Sequence, residues 1–154
     1  MKTDLIVQAW NKFSKFPGGR YLFNKFFARM VPYTGTIYPE VLELGPGHSK
    51  VLIRDRKIIR NHLNSIHAAA LMNFAEAASG IAFISGLPPK SKGIVTAFHM
   101  EYLKKARGTL TAECDVPCPT SNVDAEYTVE VELKNEAKEV VARGKAQWRV
   151  GPEK

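Results

Sequence analysis

Hydrophobic and polar positions change rhythm several times along this chain, and each change marks an element. Residues 4–16 (DLIVQAWNKFSKF) carry apolar side chains at helical spacing. FPGG at 16–19 breaks that run, and 20–31 (RYLFNKFFARMV) resumes it until Pro32. Two amphipathic helices are predicted there. The rhythm then shortens to alternation over 34–44 and 49–59, on either side of GPGH, which predicts a hairpin of two strands. From Ala68 to Leu87 alternation disappears, and Ala, Leu, Met and Phe leave the segment apolar nearly all round. That pattern predicts a buried helix of about 30 Å. Strand-like runs return at 92–105, 107–116, 124–134 and 139–150, separated by turn residues such as PCPTSN and Asn135-Glu136.

Consecutive strands joined by short turns favour antiparallel pairing, with the single long helix packed on one face. The predicted class is α+β, an antiparallel sheet wrapped around a central helix. Nothing repeats and no linker divides the chain, so residues 1–154 are expected to form one domain, with 1–32 as a helical extension and 34–150 as its core. The extension is expected to pack on the exposed sheet or at its end. The sharper alternative is that it lines a ligand pocket or extends a subunit contact.

Composition narrows the picture further. Apolar residues at 45% and charged residues at 24% suit a soluble globular chain. Asp4 interrupts the start, so no secretion signal is expected. The most apolar stretch holds Glu76, so no membrane span is expected either. Cys114 and Cys118, in CDVPC, match neither a zinc nor a redox spacing and read as free thiols of a reducing cytoplasm. Four scattered histidines predict no metal site, and His48, His62 and His99 have no evident partners. The formal charge of +7 points to a polyanionic partner. A basic helix, zinc ligands and an RNP-like strand are all missing, so nucleic acid is not expected.

The candidate chemistry centres on Glu76. It is the only ionisable residue from Ala68 to Leu87, and a carboxylate on a buried helix is costly unless it is paired, protonated or facing a cleft. Such a group is a candidate base or nucleophile. The plainer alternative is a carboxylate held by Ser79, Asn73 or a partner chain. The amides of Ala68 and Ala69 fall at the helix N-terminus, where donors lack intrahelical acceptors and the dipole is positive, so they are candidate oxyanion donors. The alternative is an ordinary helix start capped by Asn64 or Ser65. Asn61 either positions water or simply forms a turn, and His67 either contacts substrate or orients the loop.

Asn61, five residues, His67, eight residues, Glu76: this order resembles the motif of PaaI-type hotdog acyl-CoA thioesterases. Those enzymes carry Asn and His-Gly-Gly ahead of a catalytic Asp at the same spacing. YLKKARGTLTAEC (102–114) and ARGKAQWRV (142–150) are similar to later strands of that family, so the likeness covers roughly 35–150. The chain is most similar to an uncharacterised thioesterase-like branch with His-Ala-Ala and Glu. The resemblance implies the α+β hotdog fold and hydrolysis of an acyl-CoA by a homodimer or tetramer. No cofactor is implied, because coenzyme A enters as part of the substrate. It implies Glu76, His67, Asn61 and Ala68 as catalytic residues, and Ala69, Asn64 and Ser79 as substrate contacts. Lys104, Lys105 and Arg107, like Lys90 and Lys92 near them, are candidates for the coenzyme phosphates. His67-Ala68-Ala69 replaces His-Gly-Gly, and Glu76 replaces Asp. A protein that binds acyl-CoA or fatty acid without turnover is the second reading.

Overall fold

The computed structural model describes residues 3–153; residues 1, 2 and 154, included in the predicted domain, lie outside the described residues. The N-terminal rhythm becomes α1 (Thr3–Phe13) and α2 (Gly19–Met30). α1 stops short of its predicted end at 16, because Phe16 precedes Pro17 and a residue before proline is pushed out of the helical region. Gly18 then takes φ 80°, a left-handed conformation that a Cβ would strain, and the chain reverses. Pro32 ends α2 and immediately opens a single turn, α3 (Pro32–Gly35), since proline at the first helical position loses no hydrogen bond.

The first predicted strand therefore starts late. Tyr38 adopts φ 51° and Pro39 follows, so the ladder opens only with β1 (Glu40–Gly45). Across GPGH, β2 (His48–Ile53) pairs antiparallel with it. The second strand ends well before its predicted limit at 59, because the polar residues after Ile53 find partners outside the ladder. Arg54 donates to Glu40 (2.8 Å), and the Asp55 carboxylate accepts from Arg60 (2.6 Å) and from the Gly108 N–H (3.1 Å). Lys57–Ile59 close a 3₁₀ turn.

The long apolar run is α4 (Ala68–Ser85), followed by β3 (Ser91–Tyr102), β4 (Leu110–Asp115), β5 (Ala125–Lys134) and β6 (Val140–Pro152). The strands form one sheet in the order β1-β2-β4-β5-β6-β3, every adjacent pair antiparallel. Alternate residues of β6 (Ala142, Ala146, Trp148 and Val150) are buried beneath α4. Gly144 continues the series, because a Cβ there would come within 3.0 Å of the Ala75 Cβ. This sheet curled around one helix is the predicted hotdog fold. α4 is long and apolar enough to cross a membrane by composition, contrary to the expectation from sequence. However, 67% of it is buried inside the domain, where it serves as the core helix.

Of the two expected positions for the extension, α2 takes the one at the β1 end of the sheet, where the Val41 N–H donates to Asn24 Oδ1 at 2.9 Å. α1 packs on α4 itself, which the sequence did not suggest. Ile6, Trp10, Phe23 and Phe27 are buried, and the Trp10 and Phe23 rings meet edge to face at 5.0 Å. They belong to the same hydrophobic core as Val129 and Val150 of the sheet.

Candidate active site

Two loops build the start of α4. Asn61 closes the first: its Oδ1 accepts from the N–H groups of Leu63 (2.9 Å) and Ser65 (3.2 Å), and its own N–H donates to the Ser65 carbonyl (2.8 Å). Asn64, at φ 53°, makes the turn. The β3–β4 connection clamps this loop from outside. Arg107 donates to the carbonyls of Asn64 (3.1 Å) and Leu63 (3.2 Å), and the Ala106 carbonyl accepts from the Ile66 N–H (2.8 Å). From the other side the His67 N–H donates to the Ile59 carbonyl (2.8 Å). Tyr102 Oη donates to the Ala68 carbonyl at 3.1 Å, tying the edge strand to the first helical turn.

His67 itself caps the helix. Its Nδ1 accepts from the Ala69 N–H at 3.0 Å, which replaces the expected cap from Asn64 or Ser65. A neutral ring in that role carries its proton on Nε2. The Ala69 amide is thereby engaged, whereas the Ala68 amide, as the first in the helix, has no intrahelical acceptor. Ala68 is solvent-exposed.

Two turns on, Glu76 is half-buried on a helix whose surroundings are apolar. It borders a cavity of about 80 Å³ whose other walls include Ile6, Phe27, Val31 and Thr34 of the N-terminal helices and Gly80 and Ile81 of its own. No side-chain hydrogen bond or ion pair reaches its carboxylate among the described residues. Burial therefore raises its pKa above the ordinary carboxylate value. The residues expected to hold it are occupied elsewhere. Asn73 donates to the Tyr33 carbonyl (3.2 Å), and Ser79 donates to the Ala75 carbonyl (2.8 Å) and more weakly to the Glu76 carbonyl (3.3 Å). Ser79 is fully buried in the single chain, and its hydroxyl is engaged inside the helix.

Within one chain the predicted residues do not converge. Asn61, Ala68, Lys104 and Lys105 line a cleft of about 290 Å³, His67 and Ala69 line another of about 260 Å³, and Glu76 lines the third. Of the basic residues, Lys104 pairs with Glu139 at 2.7 Å and Arg107 is consumed by the loop carbonyls. Sequence reasoning missed Tyr102, Asp55 and the Gly80–Trp148 contact. A Cβ at Gly80 would lie 3.3 Å from Trp148 Cζ2 and 3.6 Å from Glu76 Oε1, so this glycine seats the indole beside the acid. The buried Trp148 Nε1 has no acceptor among the described residues. A glycine one turn after a lone acid was the only signal for this contact.

Away from the helix, His48 does have partners, contrary to expectation. Its Nδ1 lies 2.7 Å from Asp115 and its Nε2 3.5 Å from Glu43, and the Asp115 hydrogen bond raises its pKa. His48, Glu113 and Asp115 bring potential ligand atoms within 4.8 Å of one another, the histidine half-buried and the two acids exposed, with Lys50 already 3.6 Å from Glu113. Cys114 is buried and its thiol is pushed up to about 12, chiefly by burial, while Cys118 is exposed.

A six-stranded antiparallel sheet around one helix that carries a desolvated acid defines a hotdog-fold protein. The chain belongs to the family described as Domain of unknown function (DUF4442), which it matches over residues 19–150. No curated protein matches it. A structural-genomics crystal structure is 26% identical, with 96% of this chain and 99% of that one covered and a TM-score of 0.84. A protein of unknown function from Pseudomonas aeruginosa, named a probable thioesterase, is 23% identical over 89% of this chain and 97% of that one, with a TM-score of 0.73. A thioesterase from Haemophilus influenzae is 11% identical over 79% and 83%, with a TM-score of 0.68. At these identities the two thioesterase-named structures establish the shared fold.

Proposed function

We propose that the protein hydrolyses an acyl-CoA thioester. The observation that carries this reading is Glu76, a half-buried carboxylate without a side-chain partner among the described residues, set beside an apolar cavity. In its ionised form it takes a proton from water as the water attacks the thioester carbonyl, and returns it to the departing thiolate of coenzyme A. Direct attack, giving an anhydride that water then opens, uses the same carboxylate. The Ala68 N–H at the helix start is the oxyanion donor, oriented by the His67 cap on the next amide. Asn61 and Arg107 hold that start in place, and Lys105 is the remaining candidate of its trio for a phosphate contact.

His67 and Glu76 are nine residues apart, about 13 Å along the axis and on opposite sides of the helix. A two-fold homodimer, alone or within a tetramer, resolves this by joining Glu76 of one subunit to the His67–Ala68 turn of its partner. The edge strand β3 supports that assembly. It is long, it has no neighbour on its outer side among the described residues, and its Phe98 and Met100 are only half-buried beside α4. Cytoplasmic location accords with the coenzyme A substrate.

The direct test is free-thiol release from a panel of short-, medium- and long-chain acyl-CoAs. Turnover of at least one supports the proposal. Saturable acyl-CoA binding without turnover would instead establish the non-catalytic acyl-CoA-binding reading.

A further inference from the structure

Residues 1–39 hold six Lys and Arg against one acid, Asp4. The fold gathers three of those cations, Arg20, Lys25 and Arg29, along α2. Arg56, from the segment after β2, joins them in lining a groove of about 850 Å³. That volume suits a small-molecule site. Among the described residues none of the four makes an ion pair. The groove's one carboxylate, Glu40, is already committed to Arg54 through bonds of 2.8 and 3.3 Å. Arg20 and Arg29, nine residues apart on α2 and so roughly 13 Å apart along its axis, stand at opposite flanks of the groove, which spreads the positive potential along its length.

Two tyrosines share the groove. Tyr21 is 62% exposed and Tyr38 53% exposed. Lys25 sits 4.5 Å over the Tyr21 ring and Arg56 4.5 Å over that of Tyr38, so cation and ring are already paired along this wall. Tyr38 also holds φ 51°, a conformation that non-glycine residues avoid, so backbone strain is maintained at this wall. Strongly basic side chains and exposed aromatic faces in one concavity match a ligand that is both anionic and flat.

We infer that this groove binds a phosphorylated nucleoside, with phosphates on Arg20, Lys25, Arg29 and Arg56 and the base against Tyr21 or Tyr38. Two sources share that chemistry: the adenosine bisphosphate end of coenzyme A, which rests on the thioesterase reading, and a free adenine nucleotide acting as an effector. Among the described residues the groove's cations make no ion pair, whereas Lys104 and Arg107 are already engaged.

Calorimetric titration of the full chain with adenosine 3′,5′-bisphosphate, ADP, inorganic phosphate and phosphatidylglycerol vesicles tests the site. Saturable nucleotide binding is expected. The triple variant Arg20→Gln, Lys25→Gln, Arg29→Gln should weaken it by about tenfold or more. Tyr21→Ala with Tyr38→Asn, where Asn tolerates the positive φ, should weaken it several-fold, and Lys12→Gln with Lys15→Gln should change it by less than about twofold. Preference for the 3′,5′-bisphosphate, with a raised KM for acyl-CoA in the triple variant, identifies the coenzyme end. Equal binding of ADP with an unchanged KM identifies an effector site. The inference is overturned if neither nucleotide binds, if the folded triple variant binds as well as wild type, if phosphate binds as tightly as nucleotide, or if only vesicles bind. Titrating Glu76→Gln as well separates the two claims, because that variant should bind nucleotide normally whether or not the protein is a hydrolase.

Discussion

At the scale of single residues, the proposed chemistry rests on Glu76 and Ala68, and each has a substitution that removes one property. Glu76→Gln keeps the shape and deletes the base, so hydrolysis should fall by about 10²-fold or more with little change in KM. A near-wild-type kcat would make Glu76 structural. Because burial raises its pKa, the acid limb of the wild-type kcat/KM profile should lie above that of a solvated glutamate. The same shift has a stability consequence of definite sign. A carboxyl whose folded pKa is raised stabilises the fold fully below its unfolded pKa and loses that contribution as pH rises through the folded value. Glu76→Gln should therefore raise Tm relative to wild type at neutral pH and lose that advantage in acid, which a pair of melting curves would check. Ala68→Pro deletes one amide proton where proline is welcome, at the first helical position, after a residue already at φ −64° and ψ 143°. Circular dichroism should stay the same while kcat drops by about 10²–10³-fold. An unchanged kcat would remove this amide from the mechanism. Glu76 could be found in the sequence because a lone charge in an apolar run stands out. The engagement of Ala69 by His67 could not, because it depends on a rotamer.

At the scale of elements, the strand and helix order could be read from periodicity, and the failures were local. The second strand was predicted too long because the alternation of Val51 and Ile53 was carried on through the charged run to Ile58 and Ile59, whereas Arg54 and Asp55 take their partners on Glu40, Arg60 and Gly108. Asp55 is the anchor of those loops, and its carboxyl pKa is lowered chiefly by the Arg60 hydrogen bond. Asp55→Asn should cost about 1–3 kcal/mol at pH 7, as expected for a lost charged hydrogen bond. A depressed carboxyl contributes stability above its unfolded pKa and loses it as pH falls through the folded one, so denaturant melts of variant and wild type should converge in acid. Equal melts at pH 7 would show the anchor to be dispensable. The N-terminal helices supply walls of the Glu76 cavity, which their amphipathic pattern alone could not reveal. Ile6→Ala should enlarge that cavity, cost about 2–4 kcal/mol and shift kcat/KM towards longer acyl chains. An unshifted chain-length profile in a folded variant would leave α1 with a packing role alone.

For the whole molecule, the sequence order of strands around one helix was enough to define the hotdog architecture, but it could not bring the site together. Asn61, His67 and Glu76 look contiguous on paper, whereas the helix sends the cap and the acid to opposite sides and into separate clefts. The proposed site therefore depends on a second subunit, in which the thioester would be held between Glu76 of one chain and the helix start of the other. Mixing Glu76→Gln with Ala68→Pro subunits, each nearly inactive alone, tests this most directly. In a mixed dimer one site regains both native groups and the other loses both. Random exchange makes about half of the dimers mixed, so roughly a quarter of wild-type acyl-CoA hydrolysis should return. Activity no higher than that of the parents, after subunit exchange has been verified by mass, would contradict the shared site.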